Sequence, residues 1–250
     1  MQIGAQLYTV RDFTQTESDF IETIEKVSKI GYRFVQISAI GPIPAQTVAD
    51  ICSANDIGCV ITHTAPVRIL NETDSVITEH KAMGAGYVGI GSMPVEYRGS
   101  ADGAKRFIDD YLPAAERFKA AGLQFMYHNH DFEFEKFDNR LIFDILADCP
   151  VFGFTLDTYW VQASGGDPCA WLRKLSGRVN VIHLKDMLWK DGQQRMCEVM
   201  EGNLNWTGII EASKASGVKY AMVEQDDCYG ADPFECLRTS YNNWISAYQL

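Results

Sequence analysis

The stretch Ala121-Gly122-Leu123-Gln124-Phe125-Met126-Tyr127-His128-Asn129-His130 carries the pattern that decides the fold. An amphipathic helix stops at the glycine, because the residue after a helix often takes the left-handed conformation that glycine adopts cheaply. A short aromatic-rich strand follows and ends in histidines. The same punctuation recurs at Ile30-Gly31-Tyr32, Ile57-Gly58-Cys59, Met83-Gly84-Ala85 and Ser216-Gly217-Val218. The gap from Gly122 to Gly217 has room for three further units, so eight βα units fill the chain.

Working outward, the expected strands run near Ile3 to Tyr8, Phe34 to Ser38, Cys59 to His63, Tyr87 to Ser92, Gln124 to His130, Gly153 to Asp157, Val179 to Lys185 and Tyr220 to Glu224. Helices lie between them. In the first, Phe20, Ile24, Val27 and Ile30 recur at spacings of three and four, opposite Glu22, Glu25, Lys26 and Lys29. Asp167-Pro168 and Asp232-Pro233 announce two more, each a capping carboxylate followed by a proline suited to a first helical turn. Strict alternation of strand and helix implies parallel strands with right-handed crossovers. The expectation is a (β/α)8 TIM barrel of α/β class, one domain over residues 1–250. The segments Ser92 to Ala101 and Leu188 to Trp206 read as irregular loops over the barrel mouth.

Composition narrows the partners. With 46% hydrophobic and 22% charged residues and no apolar run near the ~20 residues of a membrane span, neither a membrane nor a disordered chain is indicated. The opening Met1-Gln2-Ile3-Gly4-Ala5-Gln6 has no basic region before an apolar stretch, so a cytoplasmic location is expected. A net charge of −11 opposes binding to nucleic acid, whose affinity depends on cations replacing counterions. The seven cysteines contain no Cys-x-x-Cys pair and read as reduced thiols. The partner expected is a small molecule, and a homo-oligomer is compatible with all of this.

The chemistry lies at strand ends. His63, His128, His130 and His183 fall there, with Asp157 and Glu224 closing two further strands. Parallel strands of one barrel end on one face, so these side chains converge. His128, Asp157, His183 and Glu224, from strands five to eight, supply two nitrogens and two carboxylate oxygens. That set suits a divalent ion, Mn²⁺ first, with Co²⁺, Zn²⁺, Fe²⁺ and Mg²⁺ as alternatives. Lys185 points into the same mouth and reads either as a catalytic group or as a salt-bridge partner of Asp186 or Glu201. His63, His130, Trp160, Glu201 and Arg11 are the expected substrate contacts, and Trp160, Trp189 and Trp206 a candidate apolar wall. His80, between Glu79 and Lys81, reads as solvated surface, and the run Glu133, Glu135, Asp138 as a solvated loop.

Several motifs together carry a resemblance. Tyr127-His128-Asn129-His130-Asp131, Leu156-Asp157-Thr158-Tyr159-Trp160, His183-Leu184-Lys185-Asp186, Met200-Glu201-Gly202-Asn203-Leu204-Asn205-Trp206 and Val223-Glu224-Gln225-Asp226 resemble, in order, the xylose isomerase-like TIM barrels of the sugar phosphate isomerase/epimerase group. Gln6-Leu7-Tyr8-Thr9-Val10-Arg11-Asp12 is similar to the same group, so the resemblance spans the chain. That group includes ketose 3-epimerases and inosose dehydratases. The resemblance implies a metal held by Glu, Asp, His and Glu, the last three matching Asp157, His183 and Glu224. Where the family has its first glutamate this chain has His128. An imidazole bound to the ion cannot return a proton on the second face of a sugar, so the chemistry implied needs one base. Glu224 is the expected base and Lys185 the group that neutralises the developing oxyanion of a metal-stabilised enediolate.

The expected activity is isomerisation or epimerisation of a small sugar or keto-sugar by proton removal next to a carbonyl. The loops after strands seven and eight carry Asp186, Asp191, Asp226 and Asp227 rather than a glycine-rich anion cradle, so an unphosphorylated substrate is expected. Two rivals stay open: a carbon–oxygen lyase, of the inosose dehydratase or 3-keto-glycoside lyase kind, and a non-catalytic sugar-binding protein. A repair nuclease is opposed by the charge.

Overall fold

A computed structural model describes residues 1–248, and in them eight parallel strands close into a barrel ringed by helices. In chain order the main elements are β1 (Gln2–Gln6), α1 (Glu17–Ile30), β2 (Phe34–Ile37), α2 (Ala45–Ala54), β3 (Gly58–His63), α3 (Thr73–Met83), β4 (Tyr87–Ile90), α4 (Ala101–Ala120), β5 (Gln124–His128), α5 (Ile142–Ala147), β6 (Gly153–Asp157), α6 (Pro168–Lys174), β7 (Val181–Leu184), α7 (Trp206–Ala215), β8 (Tyr220–Val223) and α8 (Pro233–Tyr248). Each strand pairs with its sequence neighbours, and β8 closes on β1 with Gln2 opposite Tyr220 and Ala5 opposite Val223. This is the (β/α)8 TIM barrel expected from the alternation.

The elements form for the reasons the sequence gives. In α1, Phe20, Ile24 and Val27 are fully buried, and Thr16 caps the helix by accepting a hydrogen bond from the Asp19 amide. Gly84 ends α3 in the left-handed conformation, at φ 68°. The Gly58 expectation is corrected: the left-handed residue there is Asp56, and Gly58 begins β3. Inside the barrel, Val60, Ile61, Met126, Val181 and Met222 pack into an apolar plug. Gly4 and Gly153 make room for it, because a Cβ at either would stand 2.5 Å from the sulfur of Met222 or Met126.

The expected strand ends are also corrected. β4 stops at Ile90, β5 at His128 and β7 at Leu184, so Asn129, His130 and Lys185 stand on the loops just above the sheet. The segment after β7 is not irregular: Asp186–Lys190 and Gln193–Cys197 form an antiparallel hairpin over the mouth. The Ser92 to Ala101 segment contains one 3-10 turn, Val95–Tyr97. No helix among the described residues is long and apolar enough to cross a membrane.

Candidate metal centre

Register brings the four candidate ligands together. Asp157 at the end of β6 lies opposite His183 of β7, and His183 lies opposite Met222 of β8, which places Glu224 one step further toward the mouth. His128 ends β5 on the other side of Asp157. Side chains from four neighbouring strands thus converge on a volume in which one ligand atom of each of His128, Asp157, His183 and Glu224 lies within 4.8 Å of all the others. All four residues are buried.

The orientations are fixed from outside the cluster. His128 Nδ1 is 2.9 Å from the Gly91 carbonyl, which turns Nε2 to Asp157 Oδ2 at 3.2 Å. His183 Nε2 meets Gln36 Oε1 at 2.7 Å, leaving Nδ1 to face 2.9 Å to Glu224 Oε2 and 3.7 Å to Asp157 Oδ2. Asp157 receives the Trp160 amide on Oδ1, and its own amide donates to Asn129 Oδ1. Such supports set ligand tautomer and direction in metal sites.

Lys185 is fully enclosed, with Nζ 3.1 Å from Asp157 Oδ2, 2.9 Å from Glu224 Oε2 and 3.0 Å from Asp226 Oδ1. Its backbone is clamped by Thr158, whose hydroxyl donates to the Lys185 carbonyl at 2.7 Å and accepts from the Lys185 amide at 3.1 Å. Burial works against the ammonium, but the three carboxylates override it and raise the lysine pKa. In turn burial would raise Asp157 and Glu224, yet Lys185 and the imidazoles hold both well below the usual carboxylate range. Asp226 goes the other way: burial and the charge of Glu224 raise it.

Three carboxylates therefore face one ammonium, and the missing positive charge is drawn onto His183. Burial lowers that imidazole, but Glu224 and Asp157 push it up to about 9. His183 Nδ1 and Glu224 Oε2 are close without hydrogen-bonding geometry; Nδ1 is a buried atom without a hydrogen-bond partner, and Oε2 is held only by its ion pair with Lys185. An imidazole nitrogen and carboxylate oxygens facing a shared space, with a proton standing where extra charge is needed, fit a divalent ion held by His128, Asp157, His183 and Glu224.

A cavity of about 280 Å³ opens above this cluster, lined by Tyr8, Ser38, His63, His130, Lys185 and Asp226 among others. His63 Nδ1 lies 3.1 Å from Ser38 Oγ, while its Nε2 is buried without a partner. Burial, then His128 and His183, hold His63 well below the usual imidazole range. Burial, then His128, lower His130 to about 3. Both rings are therefore neutral, and His130 Nδ1 and Trp160 Nε1 are likewise buried and unpaired. The Trp160 ring centroid lies 5.5 Å from that of His130 and 5.7 Å from Lys185 Nζ.

Other expected contacts stand elsewhere. Arg11 stacks on Tyr8 and donates to the Tyr8 and Asp226 carbonyls, bracing the loop that carries Asp226. Glu201 is exposed and accepts from Asn243. Trp189 is exposed on the hairpin and Trp206 is buried against Asp186. Asp186 does not pair with Lys185. It accepts hydrogen bonds from the amides of Met187, Met200 and Gly202 and from Trp206 Nε1 at 2.6–3.0 Å, pinning the hairpin and the following loop.

Two surface assignments are overturned. His80 is buried, with Nε2 2.8 Å from Thr62 Oγ1 and Nδ1 2.7 Å from the Val76 carbonyl. Glu133 is buried too, accepting from Tyr127 Oη at 2.6 Å and from the His130 amide at 2.8 Å. It holds His130 over the cavity. Asp226, absent from the expected contacts, is the residue for which the sequence did offer a signal: it follows Glu224 at strand spacing.

The profile of the xylose isomerase-like TIM barrel family matches residues 24–238. The chain belongs to that family. This xylose isomerase-like barrel is similar to a sugar phosphate isomerase/epimerase from Parabacteroides distasonis, with a TM-score of 0.81 at 21% identity over 98% of this chain and 93% of that one. An L-ribulose 3-epimerase gives 0.75 at 15% identity, over 99% and 94%. The IolI protein, in a structure with a bound zinc atom, gives 0.75 at 14%, over 98% and 97%. These likenesses are of fold. No curated protein matches this xylose isomerase-like barrel in sequence.

Proposed function

We propose that the protein is a metal-dependent sugar isomerase or epimerase acting on a small unphosphorylated sugar or keto-sugar. The observation that carries this reading is the meeting of His128, Asp157, His183 and Glu224 within 4.8 Å beneath a polar cavity, with Lys185 Nζ 2.9 Å from Glu224. Fold likeness to an epimerase supports it. A divalent ion, Mn²⁺ first, held by those four residues would supply Lewis-acid polarisation of the substrate carbonyl.

The chain's own groups do the rest. Glu224, kept ionised at neutral pH, takes the carbon-bound proton next to the carbonyl on the oxygen not turned toward His183. Lys185 donates to the oxygen on which charge develops, a role its enclosed ammonium fills at little reorganisation cost. The neutral rings of His63 and His130 and the indole N–H of Trp160 offer unpaired polar atoms to sugar hydroxyls. Among the described residues lining this cavity a phosphate finds no free lysine or arginine, since Lys185 is already bound by three carboxylates. The partner is thus a small sugar rather than nucleic acid or membrane.

A carbon–oxygen lyase is the second reading. It is favoured by Lys185 bridging Glu224 and Asp226, an ammonium beside the base where a departing oxygen needs a proton. Proton NMR in D₂O of the metal-loaded protein with free ketoses, inososes and 3-keto-glucosides, against a chelated control, separates the readings. Metal-dependent deuterium uptake into an isomeric sugar is expected. An enone or released aglycone would assign the lyase, and no exchange with any compound would leave a sugar-binding protein.

A further inference from the structure

A second cavity, of about 430 Å³, shares the Ser38 and His63 wall with the site cavity and runs outward between the β2–α2 loop and α3. Its character differs from the first. Ile37, Ile40, Ile43, Val48 and Met83 line one side of it, with Pro42 and Pro44 in the loop, and Thr62, Thr64, His80 and the Arg68–Glu79 pair line the other. Its one guanidinium, Arg68, is taken up by Glu72 at 2.8 Å and by both oxygens of Glu79 at 2.7 and 3.0 Å. No anion-binding group is left on this wall.

The wall is preformed. Gln15 Nε2 donates to the Ala39 carbonyl at 2.8 Å, and the Gly41 amide donates to the Thr14 carbonyl at 2.9 Å. Gly41 lies so close to Gln15 that a Cβ would fall 1.9 Å from the Gln15 carbonyl oxygen. Ala39 takes the left-handed conformation at φ 53°, which a non-glycine residue adopts at a cost. Two prolines restrict the remainder. A preformed chamber with an apolar wall of isoleucines and prolines, joined to one lined by charged and polar side chains, is the shape of a site for a ligand with one polar and one apolar half.

We infer that this chamber is a binding subsite for an apolar substituent carried by the sugar, so that the substrate is a glycoside-like compound rather than a bare monosaccharide. His63 and Ser38 sit at the junction, where they face the bond between the two halves. The inference rests on the sugar reading of the adjoining cavity. It places the uncharged aglycone, not a second sugar or a phosphate, among Ile40, Ile43 and Val48.

The test is calorimetric binding to the metal-loaded protein of methyl and phenyl glycosides of glucose and galactose, in matched pairs. Burying a phenyl-sized group predicts that in at least one pair the phenyl glycoside binds roughly ten-fold or more tightly. Ile43→Trp, at the half-buried rim, fills the chamber and brings that ratio close to one with the methyl affinity unchanged. Ile40→Asp makes the same change by charge and serves if the first variant does not fold. Equal binding of methyl and phenyl forms in the wild type, or a preference that survives both substitutions, overturns the chamber and leaves the sugar reading intact. Failure of every glycoside to bind overturns the chamber, and the sugar reading falls with it only when the D₂O panel of keto-sugars also shows no exchange.

Discussion

Lys185 Nζ stands 2.9 Å from Glu224 Oε2 inside the barrel mouth, and neither residue is open to solvent. An ammonium in that position is balanced by Asp157 and Asp226 as well. Buried pairs of this kind owe their persistence to mutual dependence: either charge alone is costly there.

Lys185→Met leaves three carboxylates facing one another. The metal-free variant should lose about 3 kcal/mol of stability, as expected when one partner of a buried ionic network is removed. Turnover should fall by about a hundred-fold or more. Thermal unfolding with Mn²⁺ and with chelator measures it: the metal-induced rise in Tm should be larger in the variant than in the wild type. An equal rise would show that the ammonium and the ion do not share the carboxylates.

The proton on His183 gives a pH signature. Its pKa is raised from 6.5 to about 9, so its contribution to metal-free stability is complete below 6.5 and is lost as pH rises through 9. An ion can occupy Nδ1 only after that proton leaves. Metal uptake at pH 7.5 should therefore release close to one proton, read from calorimetry in buffers of differing ionisation enthalpy. Zero release would remove His183 from the ligand set.

Metal content tests the least expected ligand. His128→Ala should bring the bound metal well below one ion per chain, and Asp157→Asn should do the same. An unchanged content in His128→Ala would reduce the centre to three protein ligands.

Glu133 predicts a second pH effect. Burial raises its carboxyl from 4.5 to about 7 against the hydrogen bonds from Tyr127 and His130. Its contribution to stability is thus complete below 4.5 and declines as pH rises through 7. Glu133→Gln should flatten the fall in Tm across that window and weaken sugar affinity through a displaced His130. A variant with the wild-type pH profile would contradict the assignment.

Asp186→Ala leaves the amides of Met187, Met200, Gly202 and Leu204 and the Trp206 indole N–H without their acceptor. The loss should be about 3 kcal/mol in denaturant unfolding, with earlier proteolysis at Lys190 on the hairpin. Cleavage no faster than in the wild type would mean the hairpin is held by other contacts.

The barrel was legible because its signals are local. Glycine after several of the helices and aromatic or β-branched runs mark the units, and the pairing of neighbouring strands then closes the barrel. The convergence of His128, Asp157, His183 and Glu224 was legible because a short side chain at a strand end has few directions to take. Long side chains were not: Arg11 and Glu201 reach backbone and Asn243 rather than the cavity, and nothing in their spacing shows that. Polarity misled at His80 and Glu133, whose burial is compensated by partners distant in sequence or set by a tight turn. The hairpin after β7 was missed because its residues alternate weakly and its anchor, Asp186, looked like an ion-pair partner.

Lys185 and Asp186 are adjacent in the chain but serve opposite directions, one reaching down to the carboxylates and the other up to the hairpin and its loop. Thr158 grips the Lys185 peptide at both its amide and its carbonyl. That grip works as a fixed bearing between roof and floor. The hairpin is tied down through Asp186, and the ammonium beneath is held independently of it.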